Sequence, residues 1–457
     1  MKRKLVSVMV ALCMPAFLFA GGLVTNTNQS ASFIRMPALD AVIGIEGVYY
    51  NPAGLAQLEN GLYVSLSNQY INQKRSVTST FPTLNSSDYD GVVKAPLFPS
   101  AYVAYKANKF VFSFAFNPIG GGGGAEYDSG LPSFESMVSQ IPGMVTLLGI
   151  PTTAYSLDLF FKGSSTYFGY QAGISYAIND AIGVFGGARY VTAKNTYEGN
   201  ISDIMINPQH PLVNPTGGMM LASTFFTEIG QPVYAAMTAD AEVDVVQQGS
   251  GVTPIIGLSI VASEKLNFGV KYEFKTNMEL TTETKVDGTG LFPDGEVISN
   301  DMPAMLTLGV GYKPIDKLSV SGGFHYYFDK SANYGKKING AFVENTDVID
   351  NNYWEAAIGL EYQITDNIFA STGYLYTQTG VNDNYQSDMA HSLNTNSFGV
   401  GGKYLVNENL GINIGFMTTL YTSYTKDYAA VAPTTPAYSE TYNRSNMVFA
   451  IGIDYKF

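Results

Sequence analysis

The stretch Leu266-Asn267-Phe268-Gly269-Val270-Lys271-Tyr272-Glu273-Phe274-Lys275 decides the fold class of this chain. Large apolar residues occupy every second position, and most positions between them are charged or polar. Because successive side chains of a β-strand point to opposite faces, the stretch predicts a strand with one apolar and one charged face. A lysine facing lipid at the middle of a bilayer would cost about 2–4 kcal/mol, so in a membrane strand the charged face must line a lumen.

The same alternation recurs along the chain and predicts fourteen strands. Short polar turns and long irregular connections alternate between them, a layout typical of outer-membrane barrels and not of soluble β-sandwiches. The sequence therefore predicts an all-β fold, a 14-stranded antiparallel transmembrane outer-membrane β-barrel. The strands cover roughly 61–75, 98–106, 110–118, 166–178, 181–195, 252–262, 266–281, 304–313, 318–329, 352–363, 368–379, 396–406, 410–422 and 446–457.

The N-terminus and the composition agree with this class. Residues 1–20 combine a basic start with an apolar run, which predicts a secretory signal peptide and the outer membrane of a Gram-negative bacterium as the destination. The single cysteine, Cys13, lies in that run, so no disulfide is expected in the chain that remains after cleavage of the signal. Charged residues make up 14% of the chain, where soluble proteins average about 25%. The excess of 38 acidic over 25 basic residues argues against a nucleic-acid partner.

Catalytic chemistry is not indicated. Of three histidines, His210 and His391 fall in outer loops and are expected to be solvated, and His325 faces the lumen. No motif ties them to a nucleophile or a carboxylate, and no spacing suggests a metal site. We therefore expect no enzyme, no metal and no cofactor.

Asn51-Pro52-Ala53-Gly54 predicts a rigid turn between the signal and the first strand. Proline fixes its own φ and restricts Asn51, and Gly54 is free to take positive φ. Fourteen strands enclose a lumen wider than side chains of the wall can fill, so it needs a plug. We expect residues 21–60 to form this lumenal hatch and 61–457 to form the barrel. The turn would anchor the hatch, and residues 21–32 would be its mobile end.

The signal, Asn51-Pro52-Ala53 ahead of the first strand, fourteen strands and the terminal Phe457 together resemble the FadL/TodX family of outer-membrane hydrophobic-compound transporters. The resemblance implies a hatch built around Asn51, Pro52, Ala53 and Gly54. It also implies passive uptake of a long-chain fatty acid or another hydrophobic small molecule. The ligand would be caught by outer loops, pass to a lumenal pocket, and leave laterally into outer-membrane lipid through a gap beside a kinked third strand. We expect a monomer.

The third strand contains candidates for that gap. Asn117 and Pro118 precede a glycine run that includes Gly120 and Gly121. Proline cannot donate to a ladder and glycine weakens a strand, so strand pairing should fail there. The alternative is that the strand ends at Asn117 and the glycines form a loop above the wall.

The two largest outer loops, about 119–165 and 196–251, are unusually apolar. In the first, apolar residues at i, i+3, i+4 and i+7 predict an amphipathic helix, and the second is rich in methionine and phenylalanine. Together they would form a groove for a hydrophobic ligand, or alternatively bury one another as a dry lid. The candidate groove residues are Phe134, Met137, Val138, Ile141, Met219, Met220, Phe225 and Phe226.

The lumenal charges and the overall function each allow two interpretations. The lumenal charges Arg189, Lys271, Glu273 and Lys275 could bind a ligand carboxylate, or they could pair with one another and with the hatch. The function itself has an alternative, an outer-membrane secretion or assembly scaffold or a shuttle for exported proteins, because apolar outer loops would equally suit a protein partner.

Overall fold

The structure is a computed structural model that describes residues 23–338, 341–431 and 435–457. The predicted signal peptide, residues 1–20, lies outside these ranges, as do the first two residues of the predicted hatch. Across the described residues, no helix is long and apolar enough to cross a membrane.

Fourteen antiparallel strands form a closed barrel, which confirms the predicted fold class. Every predicted strand overlaps one of them, and β1 pairs with β14 from Tyr63–Lys456 to Ser79–Glu440, which closes the wall. The strands are β1 Gly61–Ser79, β2 Asp88–Ala107, β3 Phe110–Tyr127, β4 Tyr155–Ala177, β5 Ile182–Ile206, β6 Ala241–Ser263, β7 Leu266–Glu273, β8 Met305–Ile315, β9 Leu318–Tyr327, β10 Trp354–Gln363, β11 Ile368–Gln378, β12 Thr395–Leu405, β13 Leu410–Tyr421 and β14 Tyr438–Lys456.

The predicted bounds are wrong at the outer ends of several strands. β2 begins at Asp88 and β5 continues to Ile206, because these ends pair above the membrane, where no lipid enforces an apolar outer face. The seventh strand ends at Glu273 and does not continue to 281. Opposite the five residues 274–278, β6 supplies only the four residues 251–254, so the regular pairing is interrupted. In addition, Pro254 has no N–H to donate to the neighbouring strand. The strand Glu279–Asp287 then resumes the pairing with β6.

The remaining elements belong to the hatch and the outer loops. The helix predicted from Phe134 is present, although it breaks at Gln140 and a second helix follows. The helices are α1 Ala31–Arg35, α2 Pro132–Ser139, α3 Ile141–Leu147, α4 Ala222–Glu228 and α5 Pro232–Met237. Short 3-10 turns are Ile45–Val48, Pro52–Gln57, Asp329–Ser331 and Asn345–Asp347. The strands in addition to the fourteen are Met220–Leu221, Glu279–Asp287, Val297–Ser299, Lys337–Ile338, Ala341–Phe342 and Tyr424–Tyr428.

The segment from residue 23 to residue 58 lies inside the barrel and is almost entirely buried. Ser30 caps α1 by accepting a hydrogen bond from the Phe33 backbone N–H, and Phe33 stacks on Tyr50 with ring centroids 5.5 Å apart. These rings join one apolar cluster with Tyr102 and other inward residues of the wall. The hatch therefore shares a core with the barrel instead of resting loosely in it.

A track of glycines lets the hatch lie directly against the wall. All eight strands from β7 to β14 have an inward glycine at which an added Cβ would come within 2.1–3.3 Å of an atom of the hatch residues Ala31–Asp40. In a strand such glycines indicate a close approach of another backbone. The track consists of Gly269, Gly309, Gly323, Gly359, Gly373, Gly399, Gly401, Gly415 and Gly452.

Replacing Gly309 by valine should loosen the hatch without preventing barrel assembly. The added Cβ would lie 2.2 Å from the carbonyl carbon of Asp40, so the hatch backbone must move away. We expect several-fold faster swelling of liposomes driven by a small sugar. Gly186→Val is the matched control, because a Cβ on this strand glycine meets nothing within 4 Å. Equal swelling with both variants would contradict the role of the glycine track.

Candidate ligand pocket, hatch and wall opening

An apolar cavity of about 260 Å³ lies among the outer loops. Helices α2 and α3 form one side, and the outer end of β5 and helix α5 form the other. Phe226 of α4 completes the lining. Its residues are Met137, Val138, Gln140, Ile141, Met144, Ile201, Ile204, Phe226, Tyr234, Met237, Thr238, Ala239 and Ala241. A concave, mostly apolar cavity is the usual form of a small-molecule site.

A second apolar cleft of about 90 Å³ continues from the first and shares Met137, Ile201 and Ala241 with it. It reaches Phe161, Tyr197 and Phe292, and the last two rings stack with centroids 5.3 Å apart. These three rings belong to a packed cluster that also contains Val93 of β2 and Ala125 of β3. Packed apolar side chains therefore continue from the outer cavity down to the wall between β2 and β3.

The structure brings five of the eight predicted groove residues to this pair of cavities: Phe134, Met137, Val138, Ile141 and Phe226. Phe225 is fully buried beside them, Met220 packs at the edge of the same cluster, and Met219 is exposed and lines neither cavity. Ile201 and Ile204 were not predicted, because the sequence indicates a loop at the outer end of β5. Tyr234 and Phe292 were not predicted either, since no local periodicity distinguishes them from other loop aromatics.

Helix α2 is held in place by buried polar contacts. The Glu135 carboxylate accepts hydrogen bonds from the Tyr89 hydroxyl, from the Tyr155 hydroxyl at 2.7 Å and from a backbone N–H at 2.9 Å. At the start of the helix, the Ser133 backbone N–H donates to Asp388 at 2.8 Å. One wall of the cavity is thus attached to β2, β4 and the loop before β12.

The wall of the barrel is interrupted between β2 and β3. Within the described residues, the two strands pair from Ala107–Phe110 to Ala101–Phe116 and again only at Val92–Glu126. β3 stays paired with β4 throughout, with register shifts on either side of Gly120. The alternative that the strand ends at Asn117 is therefore wrong, because β3 continues to Tyr127 and its glycines lie in the wall.

Prolines stand on both sides of the interruption, since β2 carries Pro96 and Pro99 opposite Pro118 of β3. None of them has an N–H for a ladder. Gly121 adopts a φ of +80°, and a Cβ there would lie 2.4 Å from the Ser165 carbonyl oxygen. The bend of β3 at this point thus depends on glycine.

Residues 23–30, here called the seal segment, pair with β3 where β2 does not. Thr25 forms a bridge with Gly120, and the Asn26 backbone N–H donates to the Ile119 carbonyl oxygen at 2.8 Å. Asn26 Nδ2 donates to the Gly121 carbonyl oxygen at 2.9 Å, and Gln29 Nε2 donates to that of Pro118 at 3.1 Å. The part of the chain expected to be mobile is buried and hydrogen-bonded here, and its mobility stays a prediction.

The Asn51-Pro52-Ala53-Gly54 turn contacts the wall strands that follow β3, mainly β4, β5 and β6. Ser175 Oγ donates to the Pro52 carbonyl oxygen at 2.6 Å, and Asn51 Nδ2 donates to that of Val42 at 3.1 Å. Gly54 is not among the glycines with positive φ; instead, a Cβ on it would lie 2.3 Å from Asn51 Nδ2. The glycine is needed for space, and the turn packs on β4 and its neighbours as an anchor would.

The central lumenal charges pair with one another and with the hatch. Arg189 and Lys271 both contact the Glu273 carboxylate, at 2.6 Å and 2.8 Å. Lys271 Nζ also donates to the Tyr49 carbonyl oxygen at 2.9 Å, and both cations lie over the Tyr49 ring. Lys275 pairs separately with Asp301 at 3.1 Å. Of the two roles considered for these charges, the structure shows pairing with one another and with the hatch.

His325 forms another contact between hatch and wall. Its Nε2 lies 2.8 Å from Asp40 Oδ1 on the hatch, and its Nδ1 lies 3.0 Å from Glu355 Oε2 on β10. Both ring nitrogens are engaged, so neither is available as a general base in this arrangement. His391 is fully buried against Tyr442, and the expectation that it is solvated is wrong.

Among the described residues, no group of three or more potential ligands could hold a metal ion.

One hatch carboxyl group is sensitive to pH. Burial, together with the carboxylate of Asp454, raises the pKa of Glu46 from 4.5 to about 7. The hydroxyls of Ser30 and Ser32 and the charge of Arg35 oppose this shift. The docked hatch therefore favours the neutral form of Glu46 at pH values below about 7.

Leakage through the hatch should consequently rise with pH. A released hatch would have the ordinary pKa, so docking is strongest below pH 4.5, weakens up to about pH 7 and stays weak above it. We expect faster sugar-driven liposome swelling at pH 8 than at pH 5. Glu46→Gln keeps the side chain neutral and should swell slowly at both values. The same pH dependence in both proteins would exclude Glu46 as its source.

The comparisons with known proteins agree with this architecture. The sequence profile of a family described as "Outer membrane protein transport protein (OMPP1/FadL/TodX)" matches residues 162–457. No curated protein sequence matches.

Solved structures show the same fold at low sequence identity. A FadL homologue from Pseudomonas aeruginosa is 12% identical, with a TM-score of 0.65 over 97% of this chain and 100% of its own. The toluene transporters TodX of Pseudomonas putida (14% identical, TM-score 0.58) and TbuX of Ralstonia pickettii (16%, 0.52) each align over 91% of this chain and 94% of their own.

The matched family consists of transport proteins of the Gram-negative outer membrane and not of enzymes. Its profile covers well over half of the chain, and the closed 14-stranded barrel is the fold of the solved channels. This chain therefore belongs to the OMPP1/FadL/TodX family of outer-membrane proteins that transport hydrophobic compounds.

Proposed function

We propose that the protein takes up long-chain fatty acids and similar hydrophobic molecules passively and releases them sideways into the membrane. The main supporting observation is that packed apolar side chains continue from the outer cavity to the wall interruption. Met137 and Ile201 join the two cavities, and Phe161, Tyr197 and Phe292 join the lower cleft to the cluster with Val93 and Ala125.

The shape of the site supports an elongated ligand. The two cavities follow one another instead of forming one round chamber, which suits an acyl chain better than a single ring. Burial of an acyl chain contributes roughly 0.8 kcal/mol per methylene, so a chain that fills both would bind firmly. The related channels named for toluene indicate that smaller hydrocarbons are the competing ligand class.

An axial route is the main alternative to lateral release. A cavity of about 300 Å³ lies beneath the hatch at the short-turn end, lined by hatch residues such as Met36, Val42 and Ile43 and by turn residues such as Lys265. A ligand leaving there would have to displace the hatch from the glycine track and from its ion pairs. The lateral route requires only the eight residues of the seal segment to move, and the rest of the hatch keeps its contacts with the wall.

A scaffold for exported proteins stays a second candidate, because some apolar residues at the loop tips do not line the cavity. Leu147 is 85% exposed and Leu212 is 90% exposed. Exposed apolar patches of this kind also suit a protein partner. Leu147→Asp combined with Leu212→Asp should leave ligand uptake intact under the transport proposal, and would impair export under the scaffold proposal.

Uptake of labelled oleate tests the proposed function directly. Cells without another route for hydrophobic molecules should accumulate at least about tenfold more oleate when they express this protein than when they express an unrelated barrel. Labelled toluene, measured in parallel, separates the two ligand classes. Accumulation of neither compound above the control would overturn the proposal.

A further inference from the structure

The wall interruption presents hydrogen-bond acceptors at the point where the proposed lateral route leaves the barrel. The carbonyl oxygens of Pro118, Ile119 and Gly121 all accept from the seal segment. Every one of these donors is a neutral amide. When the seal segment moves away, as the proposed function requires, three carbonyl oxygens lose these hydrogen bonds.

Asn117 adds a polar side chain at the same place. It is fully buried, and among the described residues neither its Nδ2 nor its Oδ1 has a hydrogen-bond partner. A buried polar atom without a partner costs about 1–3 kcal/mol, so such a side chain calls for a functional explanation. On the seal segment, Asn28 Oδ1 and Gln29 Oε1 likewise accept no hydrogen bond from a described residue.

These groups distinguish between ligand head groups. A hydroxyl or a protonated carboxylic acid can donate to a carbonyl oxygen and can also use the Asn117 amide. A carboxylate or a sulfate only accepts. Asn117 Nδ2 could donate to it, but the anion would also face the negative ends of three carbonyl dipoles in an apolar environment, where charges interact strongly. Desolvation of the anion adds to this barrier.

We propose that the wall interruption is a binding site for uncharged head groups, formed by Asn117 and the carbonyl oxygens of Pro118, Ile119 and Gly121. It passes alcohols, protonated acids and hydrocarbons, and it holds back anions. Fatty acids leave in the protonated form. This inference rests on the proposed lateral release and specifies which ligands leave the barrel by that route.

The test uses three labelled probes with the same chain: hexadecanol, hexadecane and the permanently anionic hexadecyl sulfate. Accumulation in the membrane is measured for the wild type, Asn117→Leu and Asn446→Leu. Leucine has the same number and branching of side-chain heavy atoms as asparagine but no hydrogen-bonding group. Asn446 is the matched control, a buried lumenal asparagine of β14 whose Oδ1 also lacks a partner among described residues.

We expect the wild type to accumulate hexadecanol at least about tenfold faster than hexadecyl sulfate. Asn117→Leu should lower hexadecanol uptake about tenfold and leave hexadecane uptake unchanged, and Asn446→Leu should change neither. Equal uptake of alcohol and sulfate by the wild type would overturn the inference, as would an equal loss of alcohol and alkane in Asn117→Leu. Uptake of no probe by the wild type would instead overturn the proposed function.

Discussion

Replacing Met137 by aspartate should reduce the uptake of labelled oleate at low concentration at least about tenfold. Met137 lines both apolar cavities, so a carboxylate there disturbs the capture site and the passage to the lumen together. An anion enclosed by apolar side chains costs several kcal/mol or draws water into the cavity, and either result weakens binding of an acyl chain. Initial uptake rates over a range of oleate concentrations measure the effect.

Leu147→Asp is the matched control, because this loop leucine is 85% exposed and lines neither cavity. It introduces the same charge on the same face of the protein and should leave uptake within about twofold of the wild type. At saturating oleate the Met137 variant should partly recover, since capture and not the barrel is damaged. Loss of uptake to the same extent in both variants would show that the cavity has no special role.

Replacing both Asn26 and Gln29 by alanine should make the barrel leak. The change removes two of the side-chain donors that hold the seal segment on β3, to the Gly121 and Pro118 carbonyl oxygens. Each hydrogen bond contributes about 0.5–1.5 kcal/mol, so together they shift the balance between sealed and open states by about tenfold or more. Sugar-driven liposome swelling should accelerate accordingly, and oleate uptake should not fall.

Gln57→Ala provides the control for this variant. Gln57 is also a hatch glutamine, but its Nε2 has no partner among the described residues and it lies at the end of the turn on the anchored side. Its removal should not change swelling. If Gln57→Ala leaked as much as the double variant, the whole hatch and not the seal segment would be the movable part.

The barrel could be predicted because of one rule: in a spanning strand, the residues that face lipid must be apolar. Alternation in Leu266–Glu273 and its counterparts reports directly which face meets lipid, so strand number, order and phase follow from local sequence. The rule disappears above the membrane, and there the prediction failed, at the outer ends of β2 and β5 and at the break after Glu273.

The candidate site was only partly predictable, because it depends on contacts between distant segments. Pro118 and the glycines pointed to a weak ladder, but an interruption is a property of two strands, and Pro96 and Pro99 complete it only once β2 and β3 are aligned. The glycine track has the same origin. Single glycines such as Gly309 look like weak points in a strand, and their purpose appears only when the hatch backbone lies on them.

Photo-crosslinking of a fatty acid in transit tests the central claim, release through the wall between β2 and β3, most directly. A labelled fatty acid with a diazirine at its methyl end would be given to cells that express the protein, illuminated, and its adducts mapped on peptides. We expect adducts on residues 93–100 of β2, including Leu97, which is 76% exposed, and on residues 117–125 of β3. Adducts confined to Met36, Val42 and Ile43 beneath the hatch, with none on β2 or β3, would contradict it.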